Sequence, residues 1–169
     1  MDTFRKVRGA TLLTLGLLVL SSGAAAQDIK QGDSEVVGYA GGIWSGSAFV
    51  VGGGYGYGIR PHLQLLGEFG FVTRSGVHGF EFHGDVAYTF PLKPYPKFTP
   101  YALAGFGLGH QSCNFLGINC GATTAGFDFG GGARWQVGKN WGIRPEVKFL
   151  AGNHFGTRLS GGVYYEFGK

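Results

Sequence analysis

The sequence is short of charged residues, and it has no apolar run long enough to form a membrane-spanning helix. Only 14% of the 169 residues are charged, against about 25% in a typical globular domain. The chain nevertheless has 15 Phe, 8 Tyr and 3 Trp, whereas disordered segments have few aromatic residues. An average cytosolic enzyme and a disordered linker are therefore both poor interpretations. The longest apolar run, residues 10–20, is shorter than the roughly 20 residues of a helical membrane anchor.

That short run belongs to an N-terminal targeting pattern. Basic residues precede it, and small residues that end in Ala26 follow it, as in a secretory signal peptide. We therefore predict a signal peptide over residues 1–26, a short polar segment over 27–33 and a single domain over 34–169.

Clustered basic residues and metal-binding cysteine patterns are also missing. The Lys and Arg residues are scattered, whereas nucleic-acid-binding proteins show basic clusters, so nucleic acid is not a predicted partner. Cys113 and Cys120 have no further Cys or His at zinc-finger spacing. In an exported chain their expected fate is a disulfide. We predict no metal site and no cofactor.

The sequence has abundant glycine and a period-two alternation. Apolar and polar residues alternate in the fourth segment, where Phe80 and Phe82 are interleaved with Glu81 and His83, and such alternation is typical of β-strands. No amphipathic helix is apparent. We predict an all-β fold, an eight-stranded antiparallel barrel in up-and-down order, with strands at 34–44, 47–59, 62–73, 79–90, 99–110, 122–137, 142–151 and 157–168.

The direction in which the aromatic face points distinguishes a membrane barrel from a soluble one. An eight-stranded barrel has an interior just wide enough for side chains or one small ligand. The side chains of the aromatic face are too bulky for that interior. We therefore predict that the aromatic face contacts lipid. The fifth segment is apolar on both parities, and its facing stays open. A soluble periplasmic ligand-binding barrel is the alternative, and it would stay monodisperse without detergent.

The opposite parity mixes small residues with charges, and it suits a narrow lumen closed by paired charges. Its row of Glu81, His83 and Asp85 would also suit a base or a metal. No nucleophile lies beside the row, so we assign these residues to the network of paired charges that closes the lumen. The predicted lumen residues are Glu68, Glu81, His83, Asp85, Asp128, Arg134, Arg144, Glu146, Lys148, Arg158 and Glu166.

The connection lengths predict an orientation. Tight links follow the second and sixth segments, and the longest link, residues 111–121 with the cysteine pair, lies at the opposite end. Short periplasmic turns and longer outer loops are usual in membrane barrels, so the cysteine-containing link is expected outside the cell. Residues 91–98 are an exception, because they are long for a periplasmic turn.

The last segment resembles a known family. Its residues look like the assembly signal of the small outer-membrane β-barrel family, the eight-stranded OmpA-like and OmpX-like barrels of diderm bacteria, with Gly162, Tyr165 and Phe167 at the signal positions. Residues 140–147 also look like the start of the family's seventh strand. The resemblance implies location in the cell outer membrane, contact with its lipid and lipopolysaccharide, and handling by periplasmic chaperones and the barrel-assembly machinery.

We expect a non-enzymatic protein with an envelope-structural or surface-interaction role, whose outer loops contact an unknown surface ligand. A small-solute, porin-like pore is the first alternative. A lipid A-modifying enzyme is the second, because some barrels of this size are lipid A deacylases or acyltransferases. The pairs that are close in sequence, His110 with Ser112 and His154 near Ser160, do not match the His-x-Ser-Asn pattern of the deacylases.

Overall fold

A computed structural model describes residues 29–44, 47–92, 94–95, 97–115, 118–152 and 155–168 of the chain. Within these ranges, only the backbone is described for residues 113–115, 118–120 and 155. The predicted signal peptide, residues 1–26, lies outside the described residues and stays a prediction.

Eight antiparallel strands form a closed barrel in which each strand pairs with the next and the last pairs with the first. No helix in the described part of the chain is long and apolar enough to cross a membrane. The predicted fold class is confirmed. The strands are β1 (Ser34–Ile43), β2 (Ala48–Arg60), β3 (Leu63–Arg74), β4 (Val77–Thr89), β5 (Phe98–Phe115), β6 (Ile118–Gln136), β7 (Trp141–Gly152) and β8 (Phe155–Phe167).

Alternating burial in the strands shows which face points inward. Every second residue of β4 from Gly79 onward is buried, while Phe80 and Phe82 between them are 51% and 59% exposed. The aromatic face is thus the outer surface of the barrel. The structure also decides the facing of β5, where Tyr101 is buried inside and Phe106 is exposed outside.

The link predicted over residues 111–121 is wrong, because β5 and β6 continue through it as a hairpin. Backbone pairing extends to Asn114 with Asn119 and Phe115 with Ile118. Ser, Asn and Gly are poor strand formers and typical turn residues, which is why the sequence suggested a loop. Pairing within the hairpin satisfies the backbone groups all the same.

The two ends of the barrel therefore differ in another way than predicted. At the end that carries the hairpin, at most four residues separate consecutive strands, whereas residues 90–97 join β4 to β5 at the other end. The expected long outer loops are thus replaced by lengthened strands, since β5 and β6 have 18 and 19 residues. Residues 90–97 form a long connection at the end where short turns were predicted, an exception that the sequence already indicated.

The stagger of the sheet keeps the barrel narrow. Following the paired positions from Ser34 through all eight strands leads back to β1 one position beyond Ile43, a shift of ten residues. Such a shear goes with strands tilted by about 35–45° to the barrel axis. The interior of an eight-stranded barrel is just wide enough for side chains, so the inward residues must fill it.

Candidate functional site

The barrel interior holds a dense set of buried charged side chains. All eleven predicted lumen residues are buried. Glu35 on β1 belongs to the same set, and the sequence analysis missed it. Both parities of β1 carry small or apolar residues, such as Val36 and Val37, so this strand shows no alternation that would mark Glu35 as inward-facing.

Glu68 on β3 is the centre of this network. Its carboxylate accepts hydrogen bonds from Arg144 at 3.1 Å, Lys148 at 2.8 Å and Arg158 at 2.6 Å. Arg144 and Lys148 lie on β7, and β3 and β7 are four strands apart in either direction around the ring. The bonds from Glu68 to β7 therefore cross the full width of the lumen.

Each central cation also has carboxylate partners other than Glu68. Lys148 Nζ donates to Asp85 Oδ2 at 2.5 Å. Arg158 donates to Glu81 Oε1 at 2.8 Å and to Glu146 Oε1 at 3.1 Å. Lys148 and Arg158 are completely buried. Buried charges require such partners, because their removal from water is costly.

The network continues to the end of the barrel where Ser34 is paired with Phe167. Arg134 on β6 donates to Glu35 on β1 and to Glu166 on β8. Glu35 also accepts a bond from Arg144 at 3.4 Å, so this group is joined to the Glu68 centre. Ion pairs thus connect four strands at this end, namely β1, β6, β7 and β8.

Three buried tyrosines, which the sequence analysis also missed, lie beneath the arginines. The guanidinium carbons are 4.7 Å to 5.2 Å from the ring centroids, within the range of cation–π attraction. Each tyrosine is paired across the sheet with a glycine, whose lack of a side chain leaves room for the ring. The sets are Arg158, Tyr39 and Gly52; Arg144, Tyr101 and Gly132; and Arg134, Tyr164 and Gly142.

His83 lies at the end of the network opposite Ser34 and Phe167. Its Nδ1 donates to Asp128 Oδ2 at 2.5 Å, and its Nε2 lies 3.6 Å from Glu81 Oε1. Glu81, His83 and Asp128 line a cavity of about 530 Å³. Within the described residues, no group of three His, Cys, Asp or Glu side chains could hold a metal ion.

Negative charge predominates inside the barrel. The strands bury seven carboxylate residues, but only four Lys or Arg residues and His83. An interior of this composition attracts cations more strongly than anions. The arrangement can therefore close a lumen by ion pairing.

Of the two pairs weighed for the enzyme alternative, the structure describes both residues only for His110 and Ser112, and each of these makes a separate contact. His110 Nδ1 is 2.9 Å from the hydroxyl of Thr123, and the Ser112 hydroxyl donates to the carbonyl of His78 at 3.4 Å. His154 lies outside the described residues. The described contacts of His110 and Ser112 therefore do not form a nucleophile–base pair.

The two aromatic residues of the proposed assembly signal lie on the outer face of β8, whereas Gly162 lies on its inner face. Tyr165 and Phe167 are each 45% exposed, with ring centroids 4.9 Å apart. Gly162 lies against β1, because a Cβ at this position would be 2.8 Å from the Gly38 carbonyl oxygen. Cys113 and Cys120 are directly opposite in the β5–β6 register, but their side chains are not described, so the disulfide stays a prediction.

Comparison with solved structures shows similar barrels. The N-terminal β-barrel domain of Pseudomonas aeruginosa OprF gives a TM-score of 0.69 at 20% identity, over 83% of this chain and 100% of that chain. Neisserial surface protein A gives 0.62 at 16%, over 80% and 95%. The attachment invasion locus protein Ail of Yersinia pestis gives 0.57 at 17%, over 81% and 99%. At these identities the likeness concerns the fold.

Comparison of the sequence decides the family. No curated protein sequence matches the chain. The family model described as "Outer membrane protein beta-barrel domain" matches residues 12–167, which include all eight strands. With its aromatic exterior and its charged interior, the chain belongs to the outer membrane protein β-barrel domain family and is located in the outer membrane.

Proposed function

We propose that the protein is a non-enzymatic outer-membrane barrel with a closed lumen, and that it serves envelope structure or surface interaction. The observation that carries this proposal is the position of Glu68, which binds cations from the opposite wall of the barrel. Ion pairs that cross an interior of side-chain width occupy the space that a solute would need.

The interaction surface in this proposal is the β5–β6 hairpin. These strands are longer than the other six, and His110, Gln111 and Thr123 on them are exposed. Loops and loop-like extensions of rigid barrels commonly carry binding functions. Outer-membrane lipid and lipopolysaccharide would surround the barrel wall, and a surface ligand would contact the hairpin.

A small-solute pore is the competing function, and the excess of buried carboxylates supports it, because it would favour cations. Single-channel recording in planar bilayers distinguishes the two functions. Folded protein should give no unitary currents if ion pairs close the lumen. Cation-selective currents from the wild-type protein, altered by Arg134→Ala or Glu146→Gln, would overturn the closed-lumen proposal.

The surface role needs its own experiment. A variant in which residues 111–121 are replaced by a two-residue turn should assemble in the outer membrane and keep the network, because none of the lumen charges lies in that segment. We expect it to lose binding of cells to surface ligands while keeping its bilayer behaviour. Unchanged cell binding would contradict a role for the hairpin.

A further inference from the structure

We propose that one end of the barrel, the end where Ser34 is paired with Phe167, binds the headgroups of anionic phospholipids. We call it the basic end. This surface goes beyond the proposed function, because a closed lumen, a hairpin surface and simple lipid contact require no selection among headgroups. The cations of the basic end are Lys30, Arg60, Lys97 and Lys139.

The charge that the barrel presents to its surroundings is positive. All Asp and Glu residues in the described part of the chain are buried. The Lys and Arg residues that are exposed or half-buried there are Lys30, Arg60, Arg74, Lys97 and Lys139. Four of these five lie at the basic end, whereas Arg74 lies at the opposite end, where β3 ends. A surface with such an excess of one sign attracts the opposite charge.

The fold gathers cations that are far apart in the sequence. The backbone N–H of Gln136 donates to the carbonyl of Lys97 at 2.9 Å, and the side-chain amide of Gln136 donates to the carbonyl of Lys139 at 3.0 Å. Lys97 and Lys139 are thus both held beside Gln136. One pair of cations therefore lies at the link between β6 and β7.

Lys30 and Arg60 form a second pair at the turn between β2 and β3. The carbonyl of Ile29 accepts a hydrogen bond from the backbone N–H of His62 at 3.0 Å. This bond fixes the residue before Lys30 against the turn, two residues from Arg60. The basic end is therefore built from two pairs of cations that belong to different parts of the chain.

Aromatic residues on the outer face place the basic end at a membrane interface. Tyr and Trp are enriched at the level where lipid meets water. Trp141 is 42% exposed and lies two residues from Lys139, and Tyr57 is 44% exposed and lies three residues from Arg60. The cations therefore lie just beyond an aromatic girdle, at the level of the headgroups. The exposed tyrosines of the described chain, all near this end, are Tyr55, Tyr57, Tyr88, Tyr95 and Tyr165.

Phospholipid and lipopolysaccharide are two sources of phosphate in the outer membrane. Lys and Arg side chains bind phosphate by charge-assisted hydrogen bonds. Short turns such as those after β2 and β6 are usual on the periplasmic side of membrane barrels, where the leaflet consists of phospholipid. Lipopolysaccharide occupies the other leaflet. The basic end is therefore assigned to anionic phospholipid.

Electron spin resonance of the folded protein in phosphatidylcholine bilayers tests the selectivity. It compares the association of spin-labelled phosphatidylglycerol with that of spin-labelled phosphatidylcholine. We expect phosphatidylglycerol to associate about threefold more strongly or better, because each basic residue near an anionic surface adds attraction of at least that size. Salt at about 1 M should abolish the preference, since the Debye length falls to about 3 Å. Equal association of the two lipids, or a preference that salt leaves intact, would overturn the proposal.

Three variants locate the selectivity. The double variant Arg60→Gln/Lys139→Gln should reduce the preference by about twofold or more, because it removes two cations of the basic end. Arg60→Lys/Lys139→Arg keeps both charges and should behave as the wild type does. Arg74→Gln removes the exposed cation at the opposite end and should keep the preference. A reduction in either control equal to that in the first variant would contradict the assignment.

A labelling experiment tests the leaflet. In a protein carrying Cys113→Ser and Cys120→Ser, Lys139→Cys should react with a maleimide-linked polyethylene glycol, too large to cross the outer membrane, only after the cells are permeabilised. Ser75→Cys, in the turn between β3 and β4 at the opposite end, is the control and should react in intact cells. The reverse pattern would place the basic end among the phosphates of lipopolysaccharide and overturn the assignment to phospholipid.

Discussion

At the scale of single residues, the barrel interior contains charges that have several partners each. Arg158 is completely buried and donates to carboxylates from three different strands, those of Glu68, Glu81 and Glu146. Removing one partner of a buried ion pair leaves an uncompensated charge, which is more costly than never having buried the pair. The network is therefore sensitive to single substitutions.

Arg158→Ala should lower the free energy of unfolding by about 3–5 kcal/mol, because three buried carboxylates lose a donor. Urea titration in detergent micelles, followed by tryptophan fluorescence, measures the change. Arg60→Ala is the control, since Arg60 is exposed at the end of β2, and it should change the free energy by less than about 0.5 kcal/mol. Similar effects of both substitutions would show that the network contributes little.

The sequence predicted the charged face of β4, β6, β7 and β8 because polar and apolar residues alternate there. It did not reveal Glu35, Tyr39 or Tyr101, since β1 and β5 have apolar or small residues on both faces. Period-two alternation detects a face only where the two faces differ in polarity. The pairing of Glu68 with Lys148 could not be predicted either, although both residues were placed in the lumen. A contact across the lumen has no signature in sequence spacing.

At the scale of strands and hairpins, glycine opposite tyrosine is a repeated packing unit. A Cβ at Gly132 would lie 2.6 Å from the hydroxyl of Tyr101. That hydroxyl accepts a bond from Arg144 at 2.8 Å and donates to Glu146 at 2.7 Å. A side chain at Gly132 would therefore disturb the ring and the ion pair together.

Gly132→Ala should destabilise the barrel by about 1–3 kcal/mol, the usual cost of overpacking. Gly67→Ala is the matched control, because Gly67 is exposed on the outer face of β3 and a Cβ there meets no atom within 4 Å in the described structure. Urea unfolding of both variants makes the comparison. Equal stability of the two would mean that Tyr101 can move without loss.

The β5–β6 hairpin carries the second prediction at this scale. Because Cys113 and Cys120 are opposite in the register, we expect them to form a disulfide in the exported protein. Protein extracted without reductant and then unfolded should react with a maleimide only after reduction. Reaction of both cysteines before reduction would contradict the prediction.

The strand positions themselves were predictable from alternation and from the intervening turn residues. The hairpin extension was not, because residues 111–121 are mostly polar or small and lack alternation. Their strand conformation depends on pairing with each other within the hairpin. Tertiary context of this kind overrides local propensity.

At the scale of the whole molecule, residues of the outer surface differ in the role that we predict for them. Phe129 and Phe167 have similar exposure, 49% and 45%, and both lie on the outer face. Only Phe167 occupies a position of the assembly signal that the family resemblance implies. Substitution of each residue therefore distinguishes recognition during assembly from simple contact with lipid.

Phe167→Ala should reduce the amount of protein that reaches the outer membrane, whereas Phe129→Ala should leave it nearly unchanged. The measurement is gel mobility of the outer-membrane fraction with and without boiling, because a folded barrel resists SDS until it is heated. The Phe167→Ala molecules that do assemble should keep the heat-dependent shift, since Phe167 lies on the outer face of the barrel beside Tyr165. Equal loss in both variants would contradict recognition of the final strand.

The pairing of β8 with β1 has a consequence for the time course of folding. Ser34 is paired with Phe167, so the ring closes through residues from the two ends of the barrel sequence. Contacts between such distant residues form slowly, since the loop-closure entropy must be overcome first. Until then β1 and the newest strand both have unpaired edges, which are sites of aggregation. The duration of this open state, rather than the stability of the closed ring, would then determine how much of the exported chain survives.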